Sequence, residues 1–313
     1  MEDNNKIIPD FLKGKYAEYR EYTKHYAKSF YFSSFVLPKE KRDAAYAVYA
    51  FCRYADNILD ILGSESEIYL ESKVQYLIET LDEVYRQADN GSESISDFTF
   101  TVKKYGIPKV YFRELIEGVS ADIHKKKYCN YEELDAYCYK VASVVGLIMT
   151  KIFGYTDDRA LEYAVKLGKA MQLTNILRDI ADDFSMGRIY LPKDELESFG
   201  YSEEDIKNNV VDERFRAFIA FQINRAKEYY AEAEKGISML TNDGSRSTVK
   251  MMSRIYAGIL NEIENSNYDI YSKRHYVSTF SKVMMSVKMY ADKRASIKND
   301  NRIMKSPKLS LSK

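Results

Sequence analysis

Apolar residues recur along most of this chain at intervals of three and four, the spacing that stacks side chains on one face of an α-helix. Five prolines and thirteen glycines among 313 residues leave long stretches unbroken. The periodicity predicts helices over roughly 15–30, 39–62, 67–88, 108–123, 131–153, 158–185, 212–241, 246–265 and 276–296. Turn-forming clusters separate them at Asn90-Gly91-Ser92, at Gly106-Ile107-Pro108, from Gly187 to Pro192 and at Asn242-Asp243-Gly244. There is no convincing strand series, fixed-period repeat or internal linker, so the expectation is one all-α domain over residues 1–292. Residues 293–313 carry seven basic residues against one acid with little apolar periodicity. That composition reads as a disordered, solvated tail or as a weak electrostatic tether to anionic lipid.

Two polar stripes interrupt the apolar pattern. Residues 44–55 (AAYAVYAFCRYA) are apolar or aromatic everywhere except Arg53, and a helix apolar on all sides is normally buried. Its end carries Asp56 and Asp60 in DNILD. At ~100° per residue, Tyr49, Arg53, Asp56 and Asp60 share an arc of roughly 60°. The second stripe lies in residues 166–184 (KLGKAMQLTNILRDIADDF). There Gln172, Asn175, Asp179 and Asp183 share an arc of roughly 80°, with Asp182 beside it.

Unpaired carboxylates are costly in a buried helix, and acids at i,i+4 repel each other. A helix emerging into solvent, with Arg53 paired to Asp56, would account for the first stripe alone. A hard divalent cation accounts for both, because Mg²⁺ takes oxygen ligands, keeps several waters and bridges carboxylates to substrate phosphates. Two facing acidic stripes would hold Mg²⁺ over a diphosphate, with Arg53, Arg178 and Arg188 complementing the departing anion.

Composition narrows the partners. Lys and Arg total 47, as do Asp and Glu, so no net field favours nucleic acid. Three cysteines (Cys52, Cys129, Cys138) without a CxxC pair suit a reducing compartment, and three scattered histidines argue against zinc. The N-terminal residues lack the apolar core of a signal peptide. The longest uncharged run, Val141 to Thr150, falls short of the ~20 residues of a membrane span. The expected location is cytoplasmic, with peripheral contact at an anionic membrane face through the basic tail. No obligate protein partner is inferred.

At the two stripes the chain resembles the squalene/phytoene synthase family. The resemblance runs from Lys28-Ser29-Phe30 through YAVYAFCRYADNILD (46–60), YCYKVASVVG (137–146) and QLTNILRDIADDFSMGRIYLP (172–192) to NYDIYSKRHYVS (267–278). It implies the all-α isoprenoid synthase fold around a central cavity roofed by the acidic motifs. Asp56, Asp60, Asp179 and Asp183 would bind Mg²⁺, or Mn²⁺ in its place, with Asn175 as a further ligand. Tyr49, Arg53, Gln172, Asn175, Arg178, Arg188 and Tyr268 would contact diphosphate or metal. Ser29, Phe30, Tyr137, Val141 and Gly146 would line the two prenyl diphosphate sites, although helix packing alone would also explain Val141 and Gly146. Two departures stand out: Asn57 occupies a place where many relatives carry a second acid, and Tyr26-Ala27 precedes the Ser-Phe pair where some relatives have His or Ser.

The implied reaction is head-to-head condensation of two prenyl diphosphates through a cyclopropylcarbinyl diphosphate. Diphosphate, Tyr137 or water would take the terminating proton. A small Ser34 after the Ser-Phe pair would leave room for a long tail, which favours geranylgeranyl diphosphate and phytoene. Farnesyl diphosphate, giving dehydrosqualene or squalene, is the alternative, and NADPH is expected only for squalene. A terpene cyclase would carry DDxxD and NSE-type motifs, which are absent from the sequence. A non-catalytic helical scaffold would place surface-like residues at the stripes.

Overall fold

The protein is described by a computed structural model over residues 14–62, 66–90 and 96–287, excluding the side chains of 58–62. Among these residues there is no strand, and two isolated bridges (Lys127 with Ile189, Tyr155 with Leu240) tie loops together. The first helices are α1 (Tyr16–Tyr26), α2 (Lys28–Ser33), α3 (Lys39–Leu62), α4 (Glu67–Asn90), α5 (Asp97–Lys104) and α6 (Lys109–His124). Next come α7 (Tyr131–Cys138), a π-helical turn (Tyr139–Ser143), α8 (Val144–Phe153), α9 (Arg159–Arg178) and α10 (Ile180–Ser185). The last are α11 (Lys193–Ser198), α12 (Glu203–Lys207), α13 (Glu213–Ile237) and α14 (Ser245–Asn265), followed by a helical segment over 279–287. The expected continuation of that segment to 296, and the tail at 293–313, lie outside the described residues.

Three of the expected helices are interrupted. The one over 15–30 breaks at Ala27 (φ −127°, ψ 57°), which starts α2 and brings Lys28 and Ser29 to the central cavity. The one over 131–153 carries the π turn at its middle, and the one over 158–185 kinks at Asp179 (φ −109°, ψ 15°). Helix α5 falls where no element is expected, because DFTFTV alternates apolar and polar residues. Tertiary packing overrides that pattern: Phe98 and Val102 bury one turn apart, and Phe98 stacks on Phe51 at 5.2 Å. Ser96 caps the helix by accepting from the Thr99 amide at 3.1 Å.

Two apolar clusters form the core. One is built from α1–α6 and α8, the other from α7, α9–α14 and the loops between them. Residues 131–153 are long and apolar enough, by length and composition, to cross a membrane, contrary to the expectation from uncharged runs alone. Here this stretch is a core element packed against α6 and α9. At its π turn it crosses α9 with almost no room between the backbones. A Cβ on Gly168 would lie 2.5 Å from Ser143 Cα and 2.7 Å from the Ala142 carbonyl oxygen. Gly146 makes the reciprocal approach, its Cβ position being 2.8 Å from the Ala164 carbonyl oxygen.

Backbone atoms cannot step aside as a side-chain end can. Gly168→Ala is therefore expected to lower unfolding free energy by about 1–3 kcal/mol. Denaturant titration checks this; an unchanged midpoint would show that the crossing is not tight.

Candidate active site

A cavity of about 830 Å³ runs between the two clusters. Met149, Phe153, Ile237, Leu240, Val249 and Met252 make an apolar lining over one part of it. Arg53, Asp56, Gln172, Asn175, Arg178 and Arg274 make a polar wall. Ser29, Phe30, Tyr49, Tyr137, Val141 and Gly146, all expected at the substrate sites, line it as well. Gly146 thus both faces the cavity and permits the helix crossing. Exposed lining residues mark the opening: His25, Tyr26, Lys28, Arg274 and Tyr276.

The first stripe comes from α3. Arg53 donates to Asp56 Oδ2 at 2.6 Å, so the pairing within the helix exists and both partners still face the cavity. Asn57 does not line the cavity; its amide donates to the Tyr22 hydroxyl at 3.0 Å and ties α3 to α1. Asp60 belongs to α3, but its side chain lies outside the described residues.

The second stripe lies at the kink between α9 and α10. Gln172 and Asn175 meet side chain to side chain at 3.4 Å. Asp179 accepts from Arg178 Nε at 2.8 Å and from Arg274 at 2.9 Å, so two cavity-lining guanidinium groups neutralise it. The i,i+4 ladder persists through the kink, the Asp183 amide donating to the Asp179 carbonyl at 2.8 Å. Beyond the kink, α10 carries Asp183 to a small neighbouring pocket, which it shares with Arg188 and Tyr190, rather than to the main cavity. Burial first, and then the Asp179 carboxylate, push the Asp183 pKa up to about 7 against the pull of Arg188. The folded chain therefore favours the protonated acid, and this preference is lost as pH rises from the ordinary carboxylate range through about 7.

Asp122, on α6, is the site residue that sequence reasoning missed. It is 6% exposed and lines the cavity. Its Oδ2 accepts from the hydroxyls of Tyr137 (3.0 Å) and Tyr190 (2.7 Å), while its buried Oδ1 has no hydrogen-bond partner among the described residues. The Tyr137 and Tyr190 rings stack with centroids 5.1 Å apart. The loop bearing Arg188 and Tyr190 is pinned to α6's exit by the Ile189 amide bonding the Lys126 carbonyl at 2.8 Å. Burial raises the Asp122 pKa, and burial with the nearby Asp122 charge holds the Tyr137 phenol well above its ordinary range. One signal for Asp122 was available: it continues the apolar stripe of Phe112, Leu115 and Val119 at helical spacing. Arg274 was likewise overlooked inside NYDIYSKRHYVS.

Two expectations are corrected. Tyr268 does not line the cavity; in a left-handed turn with Asn267 (φ 61° and 54°) it packs against the second cluster. Ser34 does not face a tunnel either. It is fully buried between helices, donating to the Tyr31 carbonyl at 2.8 Å and meeting the Tyr46 hydroxyl at 2.6 Å. The residue-level reason for preferring a long substrate therefore falls away.

Comparison with known proteins supplies independent grounds. Residues 23–281 match the family model described as squalene/phytoene synthase. The chain is 38% identical over 290 residues to the 15-cis-phytoene synthase of Synechococcus elongatus, covering 87% of this chain and 91% of that protein. Among solved structures it resembles a dehydrosqualene synthase in complex with ligand (TM-score 0.78, 27% identity, 92% of this chain and 99% of that one). It also resembles squalene synthase from Alicyclobacillus acidocaldarius (TM-score 0.72, 29% identity, 84% of this chain and 97% of that one).

Asp122→Asn keeps the shape and removes the charge that orients both phenols. Turnover is expected to fall by about 10²-fold or more, with a near-native melting curve. Asp182→Asn, whose carboxylate is 64% exposed and 4.0 Å from Arg274, should change turnover less than about twofold. Equal effects from the two variants would remove Asp122 from the site.

Proposed function

The chain belongs to the squalene/phytoene synthase family, and from that premise we propose that it joins two geranylgeranyl diphosphates head to head to form phytoene. It is a prenyl transferase, as that family is. The observation that carries the reading is the division of one cavity into an apolar part and a wall of arginines, amides and carboxylates. A prenyl diphosphate has the same division.

The carboxylates suit a hard cation. Among the described residues no three His, Cys, Asp or Glu side chains come together as a self-sufficient metal site. Mg²⁺ keeps several waters and takes substrate phosphate oxygens, so it needs fewer protein ligands than such a site supplies. Asp56 and Asn175 on the cavity, Asp179 at the kink and Asp183 in the adjoining pocket are the described residues that would hold Mg²⁺. When bound, the metal supplies Lewis-acid stabilisation of the departing diphosphate.

The chain's own residues do the remainder. Arg53, Arg178 and Arg274 present guanidinium groups to the leaving anion. Phe30, Tyr49, Val141, Met149 and Met252 surround the allylic carbons and keep water from quenching the cation. The cation alkylates the second substrate's double bond, and the adduct closes to a cyclopropylcarbinyl diphosphate by losing a proton to the first released diphosphate; the second diphosphate then departs and the carbon skeleton rearranges in the same cavity. Tyr137 donates its own proton to Asp122, so it is a hydrogen-bond donor and not a free base. It can accept the terminating proton only while passing its own to Asp122; released diphosphate is the other acceptor at hand.

Mass spectrometry of products tests the reading. With geranylgeranyl diphosphate and Mg²⁺, a C40 hydrocarbon should form without NADPH, at a specificity constant about tenfold or more above that for farnesyl diphosphate. A C30 product from farnesyl diphosphate at the higher specificity constant would overturn it.

A further inference from the structure

Three helical stretches lead from the polar wall of the cavity to its far end. On α9, Asn175 stands at the polar wall and Ala160 lines the other end, a rise of roughly 23 Å at ~1.5 Å per residue. Tyr137 and Phe153 mark the same two ends along the stretch from α7 to α8. On α3, Asp56 lines the polar wall, and Lys41 lies as many residues back toward the helix start, behind the far end and outside the lining. Phe153, which ends α8, and Leu240, in the loop between α13 and α14, form the floor there, each 5% exposed. Their backbones are joined: the Thr241 amide donates to the Gly154 carbonyl at 2.9 Å and the Thr156 amide to the Met239 carbonyl at 2.8 Å. Lys41 holds this floor from behind. Its ammonium donates to the Phe153 carbonyl and pairs with Asp243 at 2.8 Å, with 18% of the side chain exposed. That carbonyl belongs to the last turn of α8, where a cation is favoured. Ser245 lies near the same two groups, 3.1 Å from the Phe153 carbonyl and 2.7 Å from Asp243, but its single hydroxyl hydrogen serves one at a time. The ammonium carries three hydrogens and serves both.

We propose that Lys41 sets the depth of the cavity and with it the longest prenyl chain that is accepted. This role rests on the proposed reaction of prenyl diphosphates, since it is defined by their tails. A tail that ends short of Phe153 and Leu240 leaves the floor alone. One that is an isoprene unit too long must push both residues back, and this parts Lys41 from the carbonyl, from Asp243 or from both. A mostly buried charge that loses its partner is costly, so the penalty falls on the long substrate alone. Lys41 touches no substrate and is a positioning residue.

Specificity constants for geranylgeranyl diphosphate and for the C25 homologue one isoprene unit longer, measured on the native chain and on Lys41→Met, test this. Met keeps most of the length and removes the charge. The ratio should move toward the C25 substrate by about tenfold or more, the range over which a pocket discriminates a poorly fitting apolar group. The gain should lie in KM with kcat nearly unchanged, because the tail packs alike in ground and transition states. Lys41→Arg, which can still serve both acceptors, should hold the native ratio. Asp243→Asn removes the charge from the loop; it should move the ratio as Lys41→Met does, and it carries the test where that variant fails to fold. A native chain active on geranylgeranyl diphosphate whose ratio stays unchanged in both Lys41→Met and Asp243→Asn would overturn the role of Lys41 and leave the reaction standing. Both constants falling alike, with a lowered melting temperature, would make Lys41 a structural residue only and overturn the role as well. A native chain that condenses neither substrate would overturn the reaction, and the role of Lys41 with it.

Discussion

Carboxylates brought together beside one cavity repel each other unless they are neutralised, and arginines from distant parts of the chain converge here to do so. Arg178 and Arg274 clasp Asp179 from α9 and from the segment after α14. Arg53 answers Asp56 on α3. Among the described residues Asp122 forms no ion pair, and two phenols hold it instead. Removing Arg178 would leave the mostly buried Asp179 charge with its desolvation less well compensated.

The helix irregularities serve this wall. The break at Ala27 starts α2 so that Lys28 and Ser29 reach the opening. The π turn lies between Tyr137 and Gly146 while the chain crosses α9 at Gly168, and π turns are frequent at functional sites. The kink at Asp179 separates an acid facing the arginines from one facing the neighbouring pocket. Regular helices would have kept Asp179 and Asp183 on one stripe, as periodicity alone predicts.

Periodicity reports which face of a helix is apolar, and it located α3, α4, α6, α13 and α14 closely. It does not report a tertiary contact that overrides local pattern, which is why α5, with its alternating DFTFTV, escaped it. The two stripes were legible because polar residues on an apolar helix stand out; Arg53, Asp56, Gln172, Asn175 and Arg178 do line one cavity. Asp122 was less legible, being one acid closing an otherwise apolar stripe. Ser34 was misread because small size suits a tunnel wall and a tight helix contact equally, and its full burial and its bonds to Tyr31 and Tyr46 separate the two. The preference for geranylgeranyl diphosphate now rests on relatives such as the Synechococcus enzyme.

The central claim is that the acidic wall binds a metal together with diphosphate. Calorimetric titration of Mg²⁺ into the chain, with and without a geranylgeranyl thiodiphosphate, at pH 6 and pH 8, tests it most directly. With Asp183 in the adjoining pocket as a proposed ligand, metal binding would require it to lose its proton, and with a pKa of about 7 it is mostly protonated at the lower pH and mostly charged at the higher. The account predicts tight binding only with the thiodiphosphate present, weaker by about tenfold at pH 6, with the pH difference lost in Asp183→Asn. Equal affinity at both pH values, or diphosphate binding indifferent to Mg²⁺, would contradict it.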